Sequence, residues 1–164
     1  FDYSAAEHMA VRQKVGMFDM SSFGKIKLIG RDAEAVLQII AANDVAVPVG
    51  RIVYTPFLND DGHIEADVTV TRLGLEEFLI VTPAATIRRD LHWINGHIPD
   101  NAHAIAIDVT VSESVLVVMG PEARSFLQPM IPQSLANDDF AFGTMQQIEI
   151  GHAVARAHLS LIHI

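Results

Sequence analysis

Ile64-Glu65-Ala66-Asp67-Val68-Thr69-Val70-Thr71-Arg72-Leu73 sets Ile64, Ala66, Val68 and Val70 against Glu65, Asp67, Thr69 and Thr71. This is the alternation of a strand with one apolar and one polar face. One residue before it stands Asn59-Asp60-Asp61-Gly62, dense in residues that tolerate tight turns and left-handed backbone. That turn implies a partner strand near 51–58, entered from Pro48-Val49-Gly50, and the two form a hairpin. Gly74-Leu75-Glu76-Glu77 turns the chain again into Phe78-Leu79-Ile80-Val81. Upstream, Gly24 to Gly30 sets Lys25 and Lys27 against Ile26 and Leu28, a strand with one wet face.

Helices are expected between these strands. Ser4-Ala5-Ala6-Glu7 has the spacing of a capping box opening a helix over 5–15, closed by Gly16. Ala33, Val36, Leu37, Ile40 and Ala41 recur at helical spacing in a segment ending near Asn43-Asp44. Thr82 as cap and Pro83 in the first turn open a helix carrying Ala84, Ile87, Leu91 and Ile94. Further strands are expected near 104–109, 114–119 and 144–157, a short helix begins at Gly120-Pro121-Glu122 with Ala123, Phe126 and Leu127 on its apolar side, and 129–139 reads as a loop within one domain. Hairpins dominate and helices are inserted at intervals, so the fold class is α+β with a mixed or mainly antiparallel sheet.

Composition narrows the function. Half of the 164 residues are hydrophobic, which suits one ordinary core and excludes disorder. No apolar run approaches the roughly 18 residues of a membrane-spanning helix, and Phe1-Asp2-Tyr3 lacks the order of a signal peptide, so a soluble domain is expected. A net charge of −9 without a basic stripe makes nucleic acid a poor partner. The absence of cysteine excludes disulfides, thiolate metal sites and thiol catalysis. The eight histidines lack metal-ligand spacing, and no metal site is expected. Phosphate-binding glycine loops and a Gly-x-Ser-x-Gly elbow are also missing. The chain does not begin with Met, and Leu159-Ser160-Leu161-Ile162-His163-Ile164 resembles the translation of a sequencing-library adapter. The chain is therefore expected to be a fragment of a longer reading frame, with a genuine C-terminal strand as the other reading of those six residues.

Asp67 is the acid that the pattern singles out, because a sheet holds its short side chain at a defined spot. A carboxylate there can accept a hydrogen bond from an amine or serve as a general base; the same pattern also describes a solvated outward face. Tyr54, on the preceding strand, can stack on a flat heterocycle or simply be a sheet aromatic.

The strings EHMAVRQKVGMFDMSSFGKI (7–26), NDV (43–45), PVGRIVYT (48–55), LNDDGHIEADVTVTRL (58–73) and VMGP (118–121) resemble, in order and spacing up to Ala157, the folate-binding aminomethyltransferase family. Within it, SSFGK, IEADVTVTRL and VTPAAT look closest to the C-terminal part of the dimethylglycine and sarcosine dehydrogenases. The resemblance implies that residues 1–158 are the N-terminal portion of a partial folate-binding domain and that 159–164 are adapter-derived. It implies that Asp67 is the catalytic carboxylate beside the folate amine and that Tyr54 packs on the folate ring. Thr69 and Thr71 would line the same cavity, and Phe23 matches an apolar pocket position. Pro83 stands where T-proteins commonly carry an asparagine, so pterin contacts there differ, and His63 replaces a usual second glycine.

The implied cofactors are tetrahydrofolate and, in a missing upstream domain of the same chain, FAD. The flavin would oxidise an N-methyl group of a small methylamine to an iminium ion, which the folate amine captures as 5,10-methylene-tetrahydrofolate before water can release formaldehyde. Arg72, Arg88 and Arg89 are candidates for the folate polyglutamate tail. A later Tyr-x-Gly-Glu motif of the family is not found where LSLIHI stands, so the isolated fragment is expected to be inactive. The resemblance also implies a cytoplasmic bacterial location, or a mitochondrial one in a eukaryote. The alternatives are a stand-alone glycine-cleavage T-protein, a folate-binding module without transfer chemistry, and a degenerate structural domain.

Overall fold

The computed structural model describes residues 1–160. In chain order it contains α1 (Asp2–Gln13), β1 (Gly16–Asp19), β2 (Gly24–Ile29), α2 (Ala33–Ile40), β3 (Ile52–Leu58), β4 (Ile64–Gly74), β5 (Glu77–Thr82), α3 (Ile87–Gly96), β6 (Ile105–Asp108), β7 (Leu116–Met119), α4 (Ala123–Leu127), β8 (Thr144–Ile150) and β9 (Ala153–Leu159). Every strand pairing is antiparallel, as the α+β reading expected. The elements fall into two compact units, Ser21–Ser114 and Phe1–Met20 with the chain from Val115 onward, where the sequence suggested one domain with one core.

The first unit is a five-stranded sheet in the order β3-β4-β5-β2-β6. Its apolar face carries Ile26, Leu28, Ala66, Val68, Val70, Phe78 and Ile80, packed with Ala33, Val36, Leu37 and Ile40 of α2 and Ile94 of α3. Each fully buried aliphatic or phenyl side chain in this layer contributes about 1.5–3 kcal/mol relative to exposure. Ile64, expected on that face, is instead exposed. The register passes from Phe57↔Ala66 to Leu58↔Ile64, and this bulge turns the strand's first residue away from the core.

Four helix boundaries differ from the sequence reading. α1 begins at Asp2 with Phe1 at its N-cap and no side-chain cap, so Ser4 and Glu7 lie within the helix and form no capping box. Gly16 opens β1; the helix has already stopped at Gln13. α2 ends at Ile40 because Ala41 bridges to Phe57. Thr82 remains in β5, paired with Gly24, and 83–86 form a turn closed by the Thr86 N–H donating to the Pro83 carbonyl at 3.1 Å. α3 therefore starts at Ile87, and Pro83 is outside it. The competing demand is a buried carboxylate: Asp90 is 1% exposed and its Oδ2 accepts from the hydroxyls of Thr82 and Thr86. Buried carboxylates need such donors.

The second unit pairs β1 with β7 and β8 with β9. Its core is Ile131, Leu135, Phe140 and Ile148. The stretch 129–139, expected to be a loose loop, thus supplies two buried side chains. The region 144–157 is a hairpin of two strands turning at Gly151, whose φ is +59°. Leu159 is the last residue of β9 and pairs with Thr144; residues 161–164, most of the segment read as adapter-derived, lie outside the described residues.

Two glycines separate backbone strain from crowding. Gly62 has φ +80° and open space around an added Cβ, whereas at Gly30, φ +135°, that atom would lie 2.0 Å from the His103 carbonyl oxygen. Gly62→Ala is expected to cost about 1–2 kcal/mol, the penalty of an L-residue in left-handed backbone. Gly30→Ala adds a backbone collision and is expected to cost clearly more. Urea unfolding midpoints of the two variants check this order; equal midpoints would contradict it.

Candidate functional site

The polar row of β4 emerges on the sheet face opposite α2 and α3. Asp67 pairs with Pro56 and Thr69 with Tyr54; on the other side Thr69 pairs with Val81, which in turn pairs with Lys25. Continuing these registers one residue past Gly24↔Thr82 puts Phe23 and Pro83 level with Asp67, just beyond the ends of β2 and β5. The ladder therefore brings Asp67, Tyr54, Thr69, Pro83 and Phe23 to one end of the sheet. Thr71 lies further along, paired with Ile52 and Leu79, and is 0% exposed. The expected polar face is thus a graded one, exposed at Asp67, half-buried at Thr69 and closed at Thr71.

Asp67 and Tyr54 are both exposed, and the Tyr54 hydroxyl donates to Asp67 Oδ2 at 2.8 Å. Tyr54 and Asp67 are diagonal neighbours across β3 and β4, a separation that a long aromatic side chain spans. An ionised carboxylate is acceptor-only, so the phenol proton stays on Tyr54. This hydrogen bond raises the Tyr54 pKa above its ordinary value, with smaller contributions from desolvation and from the Asp67 charge.

The hairpin before Asp67 is fixed by Asn59. Its side-chain oxygen accepts from the Asp61 and His63 amides at 3.1 and 3.0 Å, and its Nδ2 donates to Glu65 Oε1 at 2.9 Å. Among the described residues no non-glycine has positive φ, so His63 occupies its position without needing a second glycine's freedom.

Two of the basic candidates for an anionic tail are otherwise committed. Arg72 donates to the carbonyls of Gly74, Val47 and Leu75 at 3.2, 3.0 and 3.0 Å, pairs with Glu34 at 2.6 Å and lies over the Phe78 ring at 5.2 Å. Arg89 pairs with Asp90 at 3.2 Å and donates to the Glu65 carbonyl. Only Arg88 of the three is exposed without a structural task among these contacts. The sequence reading missed the Thr82–Thr86–Asp90 network, whose signal was a hydroxyl pair followed by an acid at helical spacing.

A family model described as the GCVT N-terminal domain matches residues 1–159, and the chain belongs to that family. Among curated relatives, 4-methylaminobutanoate oxidase (formaldehyde-forming) of Paenarthrobacter nicotinovorans is 38% identical over 93% of this chain and 19% of its own length. The pyruvate dehydrogenase phosphatase regulatory subunit, mitochondrial, of Mus musculus is 30% identical over 99% of this chain and 19% of its own length. The aminomethyltransferase of Thermotoga petrophila is 33% identical over 79% of this chain and 35% of its own. The chain thus spans about a fifth of the first two relatives. In fold it is similar to glycine cleavage system aminomethyltransferase T from Bartonella henselae, with a TM-score of 0.74 at 23% identity over 85% of this chain and 37% of that one. It is also similar to the heterotetrameric sarcosine oxidase from Corynebacterium sp. U-96, with a TM-score of 0.70 at 18% identity over 96% and 78%. No helix among the described residues is long and apolar enough to cross a membrane.

The Tyr54–Asp67 bond carries its own pH test. A phenol whose pKa is raised on folding contributes stability that is complete below the ordinary value of 10.0 and is lost as pH rises through the raised one. Asp67→Asn removes the charge and the charge-assisted acceptor. A spectrophotometric titration of that variant is expected to show one tyrosine falling back toward 10.0; an unmoved titration would mean that the two groups are not bonded in solution.

Proposed function

We propose that this chain is the folate-binding, one-carbon-transfer portion of an enzyme that oxidatively N-demethylates a small methylamine, of the dimethylglycine and sarcosine dehydrogenase type. The observation that carries the reading is the exposed Asp67 carboxylate held through one oxygen by the Tyr54 hydroxyl at 2.8 Å, with Thr69 beside it. These residues suit the amine-bearing end of tetrahydrofolate. The carboxylate accepts from N–H groups, and the phenol offers an aromatic edge and face to a flat heterocycle. Thr69, Pro83 and Phe23 complete the wall at that end of the sheet, whereas the buried Thr71 supports from behind.

Tetrahydrofolate, when bound, supplies the nucleophilic amine that takes up the one-carbon unit. Asp67 receives or holds the proton leaving that amine and stabilises positive charge developing next to it. Tyr54 keeps the carboxylate pointed and occupies one of its lone pairs, so the other oxygen is the one that faces the amine. FAD belongs to an upstream domain in this proposal, and residues 1–158 are the N-terminal portion of the folate domain, with 159–164 adapter-derived. The proposed location is the cytoplasm of a bacterium, or the mitochondrion of a eukaryote.

Two relatives favour second readings. The 33% identity to an aminomethyltransferase fits a stand-alone T-protein, and the 30% identity to a regulatory subunit over 99% of this chain fits a module that binds without transfer. In the complete protein, Asp67→Asn is expected to lower methylene-tetrahydrofolate formation by about 10²–10⁴-fold while N-methyl oxidation continues and its carbon appears as formaldehyde. Unchanged transfer with unchanged folate affinity would remove Asp67 from catalysis. Absence of any N-methyl oxidation would favour the stand-alone enzyme, and folate binding without transfer the regulatory module.

A further inference from the structure

The Asn43-Asp44-Val45 string belongs to no element of the sheet, yet it runs along the outer edge of β3, the strand that carries Tyr54. The Ala42 N–H donates to the Pro56 carbonyl at 3.0 Å, and Ala41 bridges to Phe57. Asn43 Nδ2 donates to the Tyr54 carbonyl at 2.7 Å, and its backbone N–H donates to Thr55 Oγ1 at 3.0 Å. Thr55 is 0% exposed, so the second of these bonds is anchored in the interior.

The rest of the string holds the strap in place. Val45 is 0% exposed in the core. Asp44 Oδ1 accepts from Gln38 Nε2 of α2 at 2.6 Å and from the Ala46 N–H at 2.8 Å. These bonds, the Ala46 one first, hold the Asp44 carboxyl below its ordinary pKa, so it remains an acceptor at neutral pH. A strand at a sheet edge leaves carbonyls without partners, and here the carbonyl of Tyr54 is taken by a side chain whose own backbone N–H is held by the buried Thr55 hydroxyl.

We infer that Asn43 is a positioning residue for the site: by holding the Tyr54 carbonyl at the edge of β3 it sets the strand position from which the Tyr54 hydroxyl reaches Asp67. Asparagine suits the task because its amide donates from a short side chain while its backbone N–H is engaged separately. Aspartate has the same shape and lacks that donor. The inference rests on the proposed one-carbon transfer for its purpose and on the Asn43–Tyr54–Asp67 contacts for its geometry.

The test uses Asn43→Ala and Asn43→Asp in the complete protein, with Tyr54→Phe versions of each so that difference spectra isolate the Tyr54 phenol. Both variants are expected to fold and to shift the Tyr54 titration down toward 10.0. Adding Asp67→Asn to Asn43→Ala is expected to move it little further, because the bond is already weakened. One-carbon transfer is expected to fall about tenfold to a hundredfold, the scale of a misplacement near one ångström. An unmoved Tyr54 titration in folded variants would overturn the inference, and so would loss of folding in both, which would make Asn43 a determinant of the fold instead. Because the titration needs no folate, its failure leaves the transfer proposal standing. A shifted titration with undiminished transfer would retire the role of Asn43 in the reaction.

Discussion

The structure depends on the pleat of β4. Ala66, Val68 and Val70 are each at most 3% exposed, and a slip of one residue would turn all of them out to water and bring Asp67 and Thr69 into the apolar layer. Burying an unpaired carboxylate there would cost several kcal/mol (about 3–5 for a broken buried pair). The register is therefore fixed by both faces at once, and the position of Asp67 follows from the packing of its neighbours. The irregular pairings of β4 lie on either side of Asp67, at Phe57/Leu58 in the hairpin before it and between Arg72 and Gly74 after it, and leave its own register undisturbed.

The acid also stands where the ladder thins. Its partner on β3 is Pro56, whose missing N–H faces the outer edge with its carbonyl and so takes nothing from the β3–β4 ladder, whereas the level position beyond β5 is Pro83, which has no N–H to give Asp67. Strand pairing weakens around Asp67, and other contacts take over: the Tyr54 hydroxyl on the carboxylate, Ala42 on the Pro56 carbonyl, and Asn43 on Tyr54 and Thr55. On the far side, Asp90 gathers Thr82 and Thr86 and fixes the turn that carries Pro83. A site at the end of a sheet gains exposure at the loss of backbone bonds, and these side chains restore the definition.

Much of this was legible in the sequence, for identifiable reasons. Period-two alternation over Ile64–Thr71, turn residues at 59–62 and helical spacing from Ala33 to Ile40 are local signals, and each produced the element it suggested. The prominence of Asp67 came from the same alternation, and its assigned role came from family resemblance. Ser4 and Glu7 spell a capping box, but the helix starts earlier, at Asp2, with no side-chain cap. The other failures share a cause, a partner elsewhere outweighing a local preference. Thr82 and Pro83 spell a helix start, but the Gly24 pairing and the Asp90 carboxylate hold Thr82 in the strand. Arg72 reads as a free cation next to the polar row, yet carbonyls from two loops and Glu34 claim it. No local pattern shows that Thr71 is sealed while Thr69 is open.

The division between the two faces of β4 also explains why an exposed pair can have a defined geometry. Surface side chains gain little from a single contact, because ordering them costs rotamer entropy that one hydrogen bond barely offsets. Tyr54 and Asp67 escape this in part because their backbones are already immobile: Asp67 lies between two buried residues, and Tyr54 lies between Val53, packed on the core, and Thr55, fully buried. Only the side-chain torsions remain to be ordered, and a single charge-assisted bond between neighbours of fixed separation is enough to bias them. The chemistry of the open face is thus inherited from the packing of the closed one.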